Sequence, residues 1–216
     1  MKTALIIGST GLVGNFVLQK LLLDSNYSKI TTLVRKSLNL EHEKLNEVIT
    51  DFNQLDKYKE QIKADVVFCC LGTTIKTAGS KAAFKKVDYE YPVEIAKHAK
   101  NNGCQQYLIV TAMDANKNSS IFYNKVKGEA EDALKALNFE TLHILQPSLL
   151  LGNRNEKRFG ERIAQIIMPI FNGLMLCGLK KYRAIEAKQV AKAMVILSNT
   201  PKQGVHTYTS NVLQEM

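Results

Sequence analysis

Apolar runs of strand length alternate with stretches of helical periodicity along most of the chain. Continuous apolar runs predict strands that are buried on both faces, as in a parallel sheet covered by helices. The six predicted strands are Thr3–Ile7, Ile30–Val34, Glu47–Thr50, Asp65–Leu71, Gln106–Val110 and Thr141–Leu145. The predicted helices are Gly11–Asp24, Lys81–Asn101, Ser120–Leu137 and Ala187–Leu197. This alternation predicts an α/β fold with a doubly wound parallel sheet of the Rossmann type.

The pattern loosens after Pro147, where the elements are harder to assign. Gly152–Gly160 are polar and basic, with the basic residues within 153–158, which predicts a loop. Ile163–Leu179 are apolar but interrupted by proline and glycine. The apolar stretch is too short and too interrupted for a membrane span, and it could be core, a substrate pocket, a membrane-surface contact or the face of a homodimer. Residues 1–216 are predicted to form a single domain, with a small C-terminal elaboration over 153–216.

The composition adds a net charge of +9 over 216 residues, of which 45% are hydrophobic and 23% are charged. A basic protein attracts anions, including nucleic acids, acidic membranes and phosphorylated ligands. The lysines and arginines are scattered, however, and they are not interleaved with aromatic residues as on many nucleic-acid-binding surfaces. We therefore expect solvated surface lysines, a small-molecule substrate as partner and no nucleic-acid partner.

The four cysteines and four histidines do not follow a metal-binding pattern. Cys69 and Cys70 are adjacent in a predicted strand, where neighbouring side chains point to opposite faces, and there is no CxxC pair. The first apolar run leads into glycines rather than into the longer core and cleavage site of a signal peptide. These observations predict buried thiols in a reducing compartment, no metal and a cytoplasmic location.

A glycine-rich turn connects the first predicted strand to the first predicted helix. Its residues are Gly8, Ser9, Thr10, Gly11, Leu12, Val13 and Gly14. Gly8 permits a tight turn, Gly11 lets the backbone approach a ligand, and Gly14 allows close packing of the helix. The N–H groups and the dipole of the first helical turn favour a pyrophosphate, so all seven residues are predicted to bind a dinucleotide. The GxxGxxG spacing is similar to that of the short-chain dehydrogenase/reductase superfamily.

Two cations follow the second predicted strand, at the place where such a site distinguishes NADPH from NADH. Arg35 and Lys36 come about twenty residues beyond the glycines, where an NAD-specific site usually has Asp or Glu to bind the ribose hydroxyls. A cation attracts a 2′-phosphate instead, and Arg can meet it with paired N–H donors. We predict that Arg35 and Lys36 bind the cofactor and that NADPH is preferred over NADH; two solvated surface cations are the alternative.

Two further loops are expected at the same edge of the sheet. Asp51 and Phe52 follow the third predicted strand, where members of the similar superfamily often contact adenine. The loop at the end of the fourth strand consists of small residues over which a cofactor can cross, and its predicted cofactor-binding residues are Leu71, Gly72, Thr73 and Thr74. In open α/β sheets, ligands lie beyond the carboxyl ends of the strands, where both loops fall.

Tyr123 and Lys127 form a YxxxK pattern on a predicted helix, where a spacing of four places both side chains on one face. A phenol with a reference pKa of about 10 is a poor acid at neutral pH, and a nearby ammonium lowers that value. Such a tyrosine can donate a proton to a carbonyl oxygen as a hydride arrives. We predict that Tyr123 is the catalytic acid, that Lys127 tunes it and binds the nicotinamide ribose, and that both contact the cofactor.

The similarity to short-chain reductases implies a third catalytic residue, a Ser or Thr at the end of the fifth strand that binds the same substrate oxygen. Thr111 occupies that position, twelve residues before Tyr123. A hydroxyl that caps a loop is the alternative for Thr111. Ser119 and Ser120 are weaker candidates, because they are expected to cap the helix that carries Tyr123.

Several motifs together narrow the resemblance. They are the glycine turn, Leu33–Arg35, Cys70–Thr74, Val87-Asp88, Val126–Glu129 and Leu145–Gly152. The chain resembles the atypical short-chain dehydrogenases/reductases, in the group of the Tat-interacting protein oxidoreductase and the NmrA-like proteins, over about residues 3–155. The resemblance implies an NADP-binding Rossmann fold and places Pro147 beside the nicotinamide as a cofactor-binding residue. The chain departs from this group at Gln146, where relatives often carry Arg, and at Ala112, where they often carry a second hydroxyl.

The expected function is that of an NADPH-dependent oxidoreductase that reduces a small carbonyl-type substrate, with residues 153–216 on the substrate side. Arg154 or Arg158 could hold an anionic group of that substrate or lie in a solvated loop. The rival expectation is a non-catalytic NADPH-sensing regulator that changes partners when the cofactor binds, which the incomplete hydroxyl pair at 111–112 favours. A nucleic-acid or membrane binder, whose binding would collapse with salt, ranks last.

Overall fold

Seven strands form one parallel sheet at the centre of the protein. The computed structural model describes residues 1–152 and 183–216. The strands of the sheet are β1 (Lys2–Ile7), β2 (Tyr27–Val34), β3 (Leu45–Ile49), β4 (Val66–Cys69), β5 (Gln106–Val110), β6 (Thr141–Gln146) and β9 (Gly204–Thr209). A separate pair joins β7 (Leu150–Leu151) to β8 (Ile185–Glu186). The order across the sheet is β3-β2-β1-β4-β5-β6-β9 with every adjacent pair parallel, so the predicted Rossmann-type α/β fold is confirmed.

Helices cover both faces of this sheet. They are α1 (Leu12–Leu23), α2 (Ile75–Ala78), α3 (Lys81–Lys85), α4 (Tyr91–Asn101), α5 (Phe122–Lys135), α6 (Ala187–Asn199) and α7 (Ser210–Gln214), together with a 3₁₀ segment at Phe52–Tyr58. Helices α1 and α6 pack into the hydrophobic core on one face, and α4 and α5 pack into the core on the other. Among the described residues, no helix has both the length and the apolar character that crossing a bilayer requires.

Strand β1 shows why the central strands lack a polar alternation. Ala4 and Ile6 pack into one core and Leu5 and Ile7 into the other, and none of the four is more than 1% exposed. A strand that is buried on both faces must be apolar at every position. Burial of each of the larger side chains contributes about 1.5–3 kcal/mol, so β1 holds the centre of the sheet firmly.

The C-terminal residues complete the sheet, which the sequence pattern did not predict. Strand β9 pairs with β6 and forms one edge of the sheet, and its residues are exposed or half-buried. An edge strand of this kind has no continuous apolar run, so its pattern resembles that of a loop. The predicted elaboration over 153–216 therefore includes a strand of the main sheet and the helix α6 that packs beside α1.

The long helix predicted over Lys81–Asn101 is helical throughout but not uniform. Helices α3 and α4 are joined by a π turn at Lys86–Glu90, in which the N–H of Tyr91 donates to the carbonyl oxygen of Lys86. A π turn accommodates one extra residue in a helix and is frequent at functional sites. Here it buries Asp88, whose residue exposure is 2%.

The topology marks one crevice for a ligand. The chain runs from β1 through β2 to the edge at β3 and then crosses back to β4 on the other side of β1. The loops after β1 and β4 therefore leave the sheet in opposite directions, which is the switch point where doubly wound folds bind ligands. The loops after β2, β5 and β6 begin at the same edge as the loops after β1 and β4, because all of these strands are parallel.

Candidate functional site

The glycine turn after β1 is closed by backbone contacts that leave no room for side chains. Gly8 has a φ of 83°, and a Cβ there would lie 2.7 Å from the carbonyl oxygen of Cys70. The N–H of Gly11 donates to the carbonyl oxygen of Gly8 over 2.9 Å. A Cβ on Gly14 would lie 2.1 Å from that same oxygen. Helix α1 therefore begins directly against the end of β1, and the backbone of its first turn borders the crevice.

The other residues predicted to bind within this turn have different surroundings. Ser9 is only 1% exposed, and its hydroxyl accepts a hydrogen bond of 2.6 Å from Thr32. Val13 is buried in the core beneath α1. Thr10 is exposed, and the Leu12 side chain lies close to Gly152, beyond β7. The side chains of Ser9 and Val13 hold the turn from inside, so only their backbone groups remain for a ligand.

Arg35 and Lys36 are both exposed immediately after β2, one strand away from the glycine turn. Asp51 lies one strand further out and caps the 3₁₀ segment, where its carboxylate accepts from the N–H of Asn53 and the amide of Gln54. The Asn53 N–H is the main reason that the pKa of Asp51 is lowered. Phe52 is buried, with its ring 5.5 Å from that of Tyr91. Arg35 and Lys36 are thus exposed to a ligand, whereas Asp51 and Phe52 are engaged in local contacts.

The loop after β4 contacts both the glycine turn and helix α5. Its first residue, Cys70, lies against Gly8, and the N–H of Thr73 donates to Asp88 Oδ2 over 3.0 Å. A Cβ on Gly72 would lie 3.7 Å from both Asp88 Oδ1 and Lys127 Nζ. Thr74 caps α2 by accepting from the N–H of Thr77. Leu71 is half-buried and packs against the core.

Helix α5 carries two of the three predicted catalytic residues into this region. Lys127 is buried, and its Nζ lies 2.7 Å from Asp88 Oδ1. Burial by itself would lower the pKa of Lys127, but the Asp88 carboxylate outweighs this effect and the pKa is raised. Tyr123 is half-buried one turn earlier, with its ring 5.4 Å from that of Phe84. Tyr123 and Lys127 therefore lie at the same sheet edge as the glycine turn.

Thr111 follows β5 as predicted, but its hydroxyl has a partner inside the protein. It is 6% exposed, and its Oγ1 donates to Glu131 Oε1 over 2.6 Å. The Gln146 amide donates to both oxygens of the same carboxylate, at 3.0 and 3.1 Å. A hydroxyl has a single proton, so Thr111 in this arrangement can accept from a substrate but cannot also donate to a substrate oxygen. To bind a substrate carbonyl oxygen as predicted, Thr111 would have to direct this proton away from Glu131.

Pro147 is buried at the end of β6, and its carbonyl oxygen accepts from the N–H of Met113. This bond ties the ends of β5 and β6 together beside Thr111. The basic residues Arg154 and Arg158, and the apolar stretch Ile163–Leu179, lie outside the described residues.

Two buried acids near the predicted catalytic residues did not stand out in the sequence. Asp88 appeared there only within a resemblance motif, and Glu131 was not singled out. A lone acid in a helix is usually solvated, so sequence gives little reason to select one. The available signal was the spacing of four that places Glu131 on the same face of α5 as Lys127.

A further group of polar residues joins the 3₁₀ segment to α4. Asp56, Glu94 and His98 bring one ligand-type atom each within 4.8 Å of one another. The Nε2 of His98 lies 3.3 Å from Asp56 Oδ1, and Asp56 is well exposed. A contact between an imidazole and an exposed carboxylate accounts for this arrangement.

The chain belongs to a family of NAD(P)H-binding proteins, whose pattern matches residues 8–166. The rat protein HTATIP2 is 38% identical over 168 residues, which cover 76% of this chain and 69% of that protein. The mitochondrial protein FMP52 of Eremothecium gossypii is 34% identical over 206 residues, which cover 92% of this chain and 91% of the relative. These relatives confirm the resemblance to the atypical short-chain dehydrogenases/reductases.

The fold has close counterparts among solved structures. The enzyme WbmH of Bordetella bronchiseptica, in complex with NAD⁺, matches with a TM-score of 0.73 at 14% sequence identity. The match covers 97% of this chain and 76% of WbmH. At this identity the comparison establishes the fold alone.

The expected cytoplasmic location is wrong in the light of the fungal relatives. The FMP52 proteins of Eremothecium gossypii and Candida albicans and the fmp52-1 protein of Aspergillus terreus are all named as mitochondrial. The cytoplasmic expectation depended on buried thiols and on the character of the first apolar run. Neither feature distinguishes one reducing compartment from another.

Proposed function

We propose that the protein is an NADPH-dependent oxidoreductase that reduces a small carbonyl-type substrate. The observation that carries this proposal is the placement of Lys127, buried against Gly72 at the edge of the sheet that also carries the glycine turn. The turn belongs to an NAD(P)H-binding family, and the lysine follows Tyr123 by one helical turn. On this proposal, a dinucleotide site and a proton donor share one crevice.

The residues around the crevice fit a dinucleotide. The backbone at Gly8, Gly11 and Gly14 makes a cradle that Cβ atoms would fill, and it adjoins the first turn of α1, where a pyrophosphate is favoured. Arg35 and Lys36 would hold the 2′-phosphate from the neighbouring strand, which supports NADPH over NADH. Leu71 and Thr73 belong to the loop between the glycine turn and Lys127, and with Pro147 they would border the cofactor on its way towards that lysine.

The chemistry requires one hydride and one proton for each carbonyl. When bound, NADPH would supply the hydride that the carbonyl carbon accepts. Tyr123 donates its phenolic proton to the carbonyl oxygen, so that an alcohol forms, and the proton is then replaced from solvent. Lys127 binds the ribose hydroxyls and stabilises the phenolate that remains on Tyr123.

The catalytic proposal is tested by replacing Tyr123 with Phe. The variant keeps the aromatic ring that contacts Phe84, so we expect NADPH binding to change less than about threefold while turnover falls by about 10²-fold or more. The measurement is NADPH oxidation by absorbance with a panel of small aldehydes and ketones. Tyr89→Phe is the matched control and should retain turnover. Undiminished turnover in Tyr123→Phe would show that Tyr123 is not the acid.

The cofactor preference is tested by Arg35→Ala. This change should weaken NADPH binding by about tenfold or more and leave NADH binding nearly unchanged, because only NADPH has a 2′-phosphate. Lys29→Ala is the control. It also removes one positive charge, but near the beginning of β2 rather than after its end, so the affinity for both cofactors should stay unchanged. An equal loss for both cofactors in Arg35→Ala would remove the 2′-phosphate assignment.

A second candidate function is a non-catalytic NADPH sensor that changes partners when the cofactor binds. It is favoured by the hydrogen bond that directs the Thr111 hydroxyl towards Glu131 and by Ala112, which offers no second hydroxyl. For catalysis, Thr111 would have to orient the substrate as an acceptor or be released from Glu131. Saturable NADPH binding without oxidation by any carbonyl in the panel, but with altered capture of protein partners, would favour the sensor.

A further inference from the structure

The ion pair between Lys127 and Asp88 is the most deeply buried pair of opposite charges in the described part of the chain. The side chains are 5% and 0% exposed, and the two charged atoms are 2.7 Å apart. The other oxygen of Asp88 accepts from the N–H of Thr73. One carboxylate therefore fastens the lysine of α5 to the loop that follows β4.

The segment that carries Asp88 also contacts Tyr123. Asp88 lies in the π turn, and Phe84 lies in α3 immediately before it. The Phe84 ring packs against Tyr123, while Asp88 pairs with Lys127. A single stretch of helix thus positions both members of the Tyr-Lys pair.

A buried ammonium tends to lose its proton unless a counter-ion compensates for lost hydration. The charged or titratable groups that face Lys127 are Asp88 on the π turn, Tyr123 on α5 and Cys69 on β4. Of these, Asp88 alone is in direct contact, with its Oδ1 2.7 Å from the Lys127 Nζ. Burial raises the pKa of the Asp88 carboxyl, and the Lys127 ammonium opposes this effect. The Asp88 carboxylate is therefore what keeps the pKa of Lys127 above the ordinary value despite burial.

We propose that Asp88 is a positioning residue that keeps Lys127 charged and directed at the cofactor, so that NADPH binding persists into the alkaline range. This proposal rests on the proposed function, because it requires that Lys127 contacts the bound cofactor. The ammonium uses one N–H for Asp88, which leaves two for the ribose hydroxyls.

The test compares NADPH affinity at about pH 7 and about pH 9.5 by fluorescence titration of the purified full chain. The variant Asp88→Asn keeps the shape of the side chain but removes its charge, so Lys127 should lose its proton within this range. We expect its affinity to fall by about tenfold or more from the lower to the higher pH, and that of the wild type by less than about threefold.

The chain offers a matched control, because a second ion pair joins α5 to the helix immediately before the π turn. Lys85 of α3 and Glu129 of α5 are 3.0 Å apart, with side chains 41% and 26% exposed. Glu129→Gln removes this more exposed pair and should show the pH dependence of the wild type. A merely structural role of Asp88 would lower affinity by the same factor at both pH values.

The outcomes separate this inference from the proposed function. No saturable NADPH binding by the wild type would overturn the proposed function itself. Wild-type binding together with an unchanged pH dependence in Asp88→Asn would overturn the role of Asp88 alone. Should Asp88→Asn not fold, the wild type decides, because an affinity that declines with a midpoint below about pH 9 would contradict a lysine held in its charged form.

Discussion

Lys127 and Glu131 lie one turn apart on the same face of α5, and both are buried, but their partners differ. Lys127 has a full counter-charge at 2.7 Å in Asp88. Glu131 is surrounded by neutral donors from Thr111 and Gln146, and the cation nearest to it among the described residues is the partly exposed Lys135, 3.9 Å away. Burial raises the pKa of Glu131, although both hydrogen bonds lower it.

This difference teaches how each site responds to the loss of a charge. Removal of one partner from a buried ion pair leaves the other charge without compensation. A carboxylate held by neutral donors can instead become neutral, by protonation or by substitution, and keep its hydrogen bonds. The two sites on α5 should therefore differ in their sensitivity to mutation and to pH.

The largest effect is expected for Lys127→Met, which leaves Asp88 buried without its cation. The free energy of unfolding should fall by about 3–5 kcal/mol, measured by urea denaturation at neutral pH. Lys117→Met removes a cation that pairs with Asp132 at 2.8 Å, but there the side chains are 57% and 40% exposed. This control should lose about 1 kcal/mol or less. Equal losses in the two variants would mean that burial does not distinguish the pairs.

A smaller effect is expected for Glu131→Gln. The amide has nearly the same shape as the carboxylate and can still accept from the Gln146 amide, so the free energy of unfolding should change by about 1 kcal/mol. The same urea denaturation measures it. A loss of about 3 kcal/mol or more would show that the charge of Glu131 is needed in the folded protein.

The effect of Glu131→Gln on the free energy of unfolding should also depend on pH, and the direction of this dependence follows from the pKa of Glu131. The raised pKa of Glu131 means that the folded protein holds this proton more tightly than the unfolded chain. The resulting stability is present below the ordinary pKa of 4.5 and is lost as the pH rises through the folded value. Glu131→Gln lacks this term, so it should gain stability relative to the wild type between about pH 4 and pH 7. A relative loss over this range would contradict the direction of the shift.

The smallest effect is expected for Lys135→Ala. Its ammonium is 3.9 Å from Glu131 and 3.3 Å from Asp132, with 40% of the side chain exposed. Such pairs on a helix surface contribute about 0.3–0.5 kcal/mol, and salt weakens them. We expect the free energy of unfolding, measured by thermal unfolding, to fall by this amount at low salt and by less at high salt. A decrease that persists at high salt would assign Lys135 a larger part in balancing Glu131.

The glycine turn could be predicted from the sequence because its function depends on local backbone geometry. Gly8, Gly11 and Gly14 are separated by fixed spacings, and a Cβ on Gly8 or Gly14 would collide with neighbouring backbone, as a tight turn and close helix packing require. The predicted approach of a ligand to Gly11 stays a prediction. The pairing of Asp88 with Lys127 depends instead on how the π turn packs against α5. Thirty-nine positions separate these residues, and no local pattern relates them.

The hydrogen-bond partner of the Thr111 hydroxyl could not be predicted from the sequence either. The position of Thr111 after β5 was predicted, but its partner Glu131 lies on the following helix, and Gln146 lies on the strand after that. Strand β9 was missed for another reason, because edge strands lack the apolar continuity that revealed the central ones. Contacts between distant elements and exposed edges are therefore the two kinds of feature that periodicity does not reveal.

The π turn at Lys86–Glu90 restricts how many residues can lie between α3 and α4 more strictly than it restricts which residues these are. An α-helix rotates by about 100° per residue. The extra residue therefore lets Phe84 face α5 while Ile95 and Ala99 of α4 still face the core. Deletion of a single residue within this turn would restore a regular helix and rotate one of these groups away from its partner. Insertions and deletions should be excluded there, even where individual side chains can be exchanged.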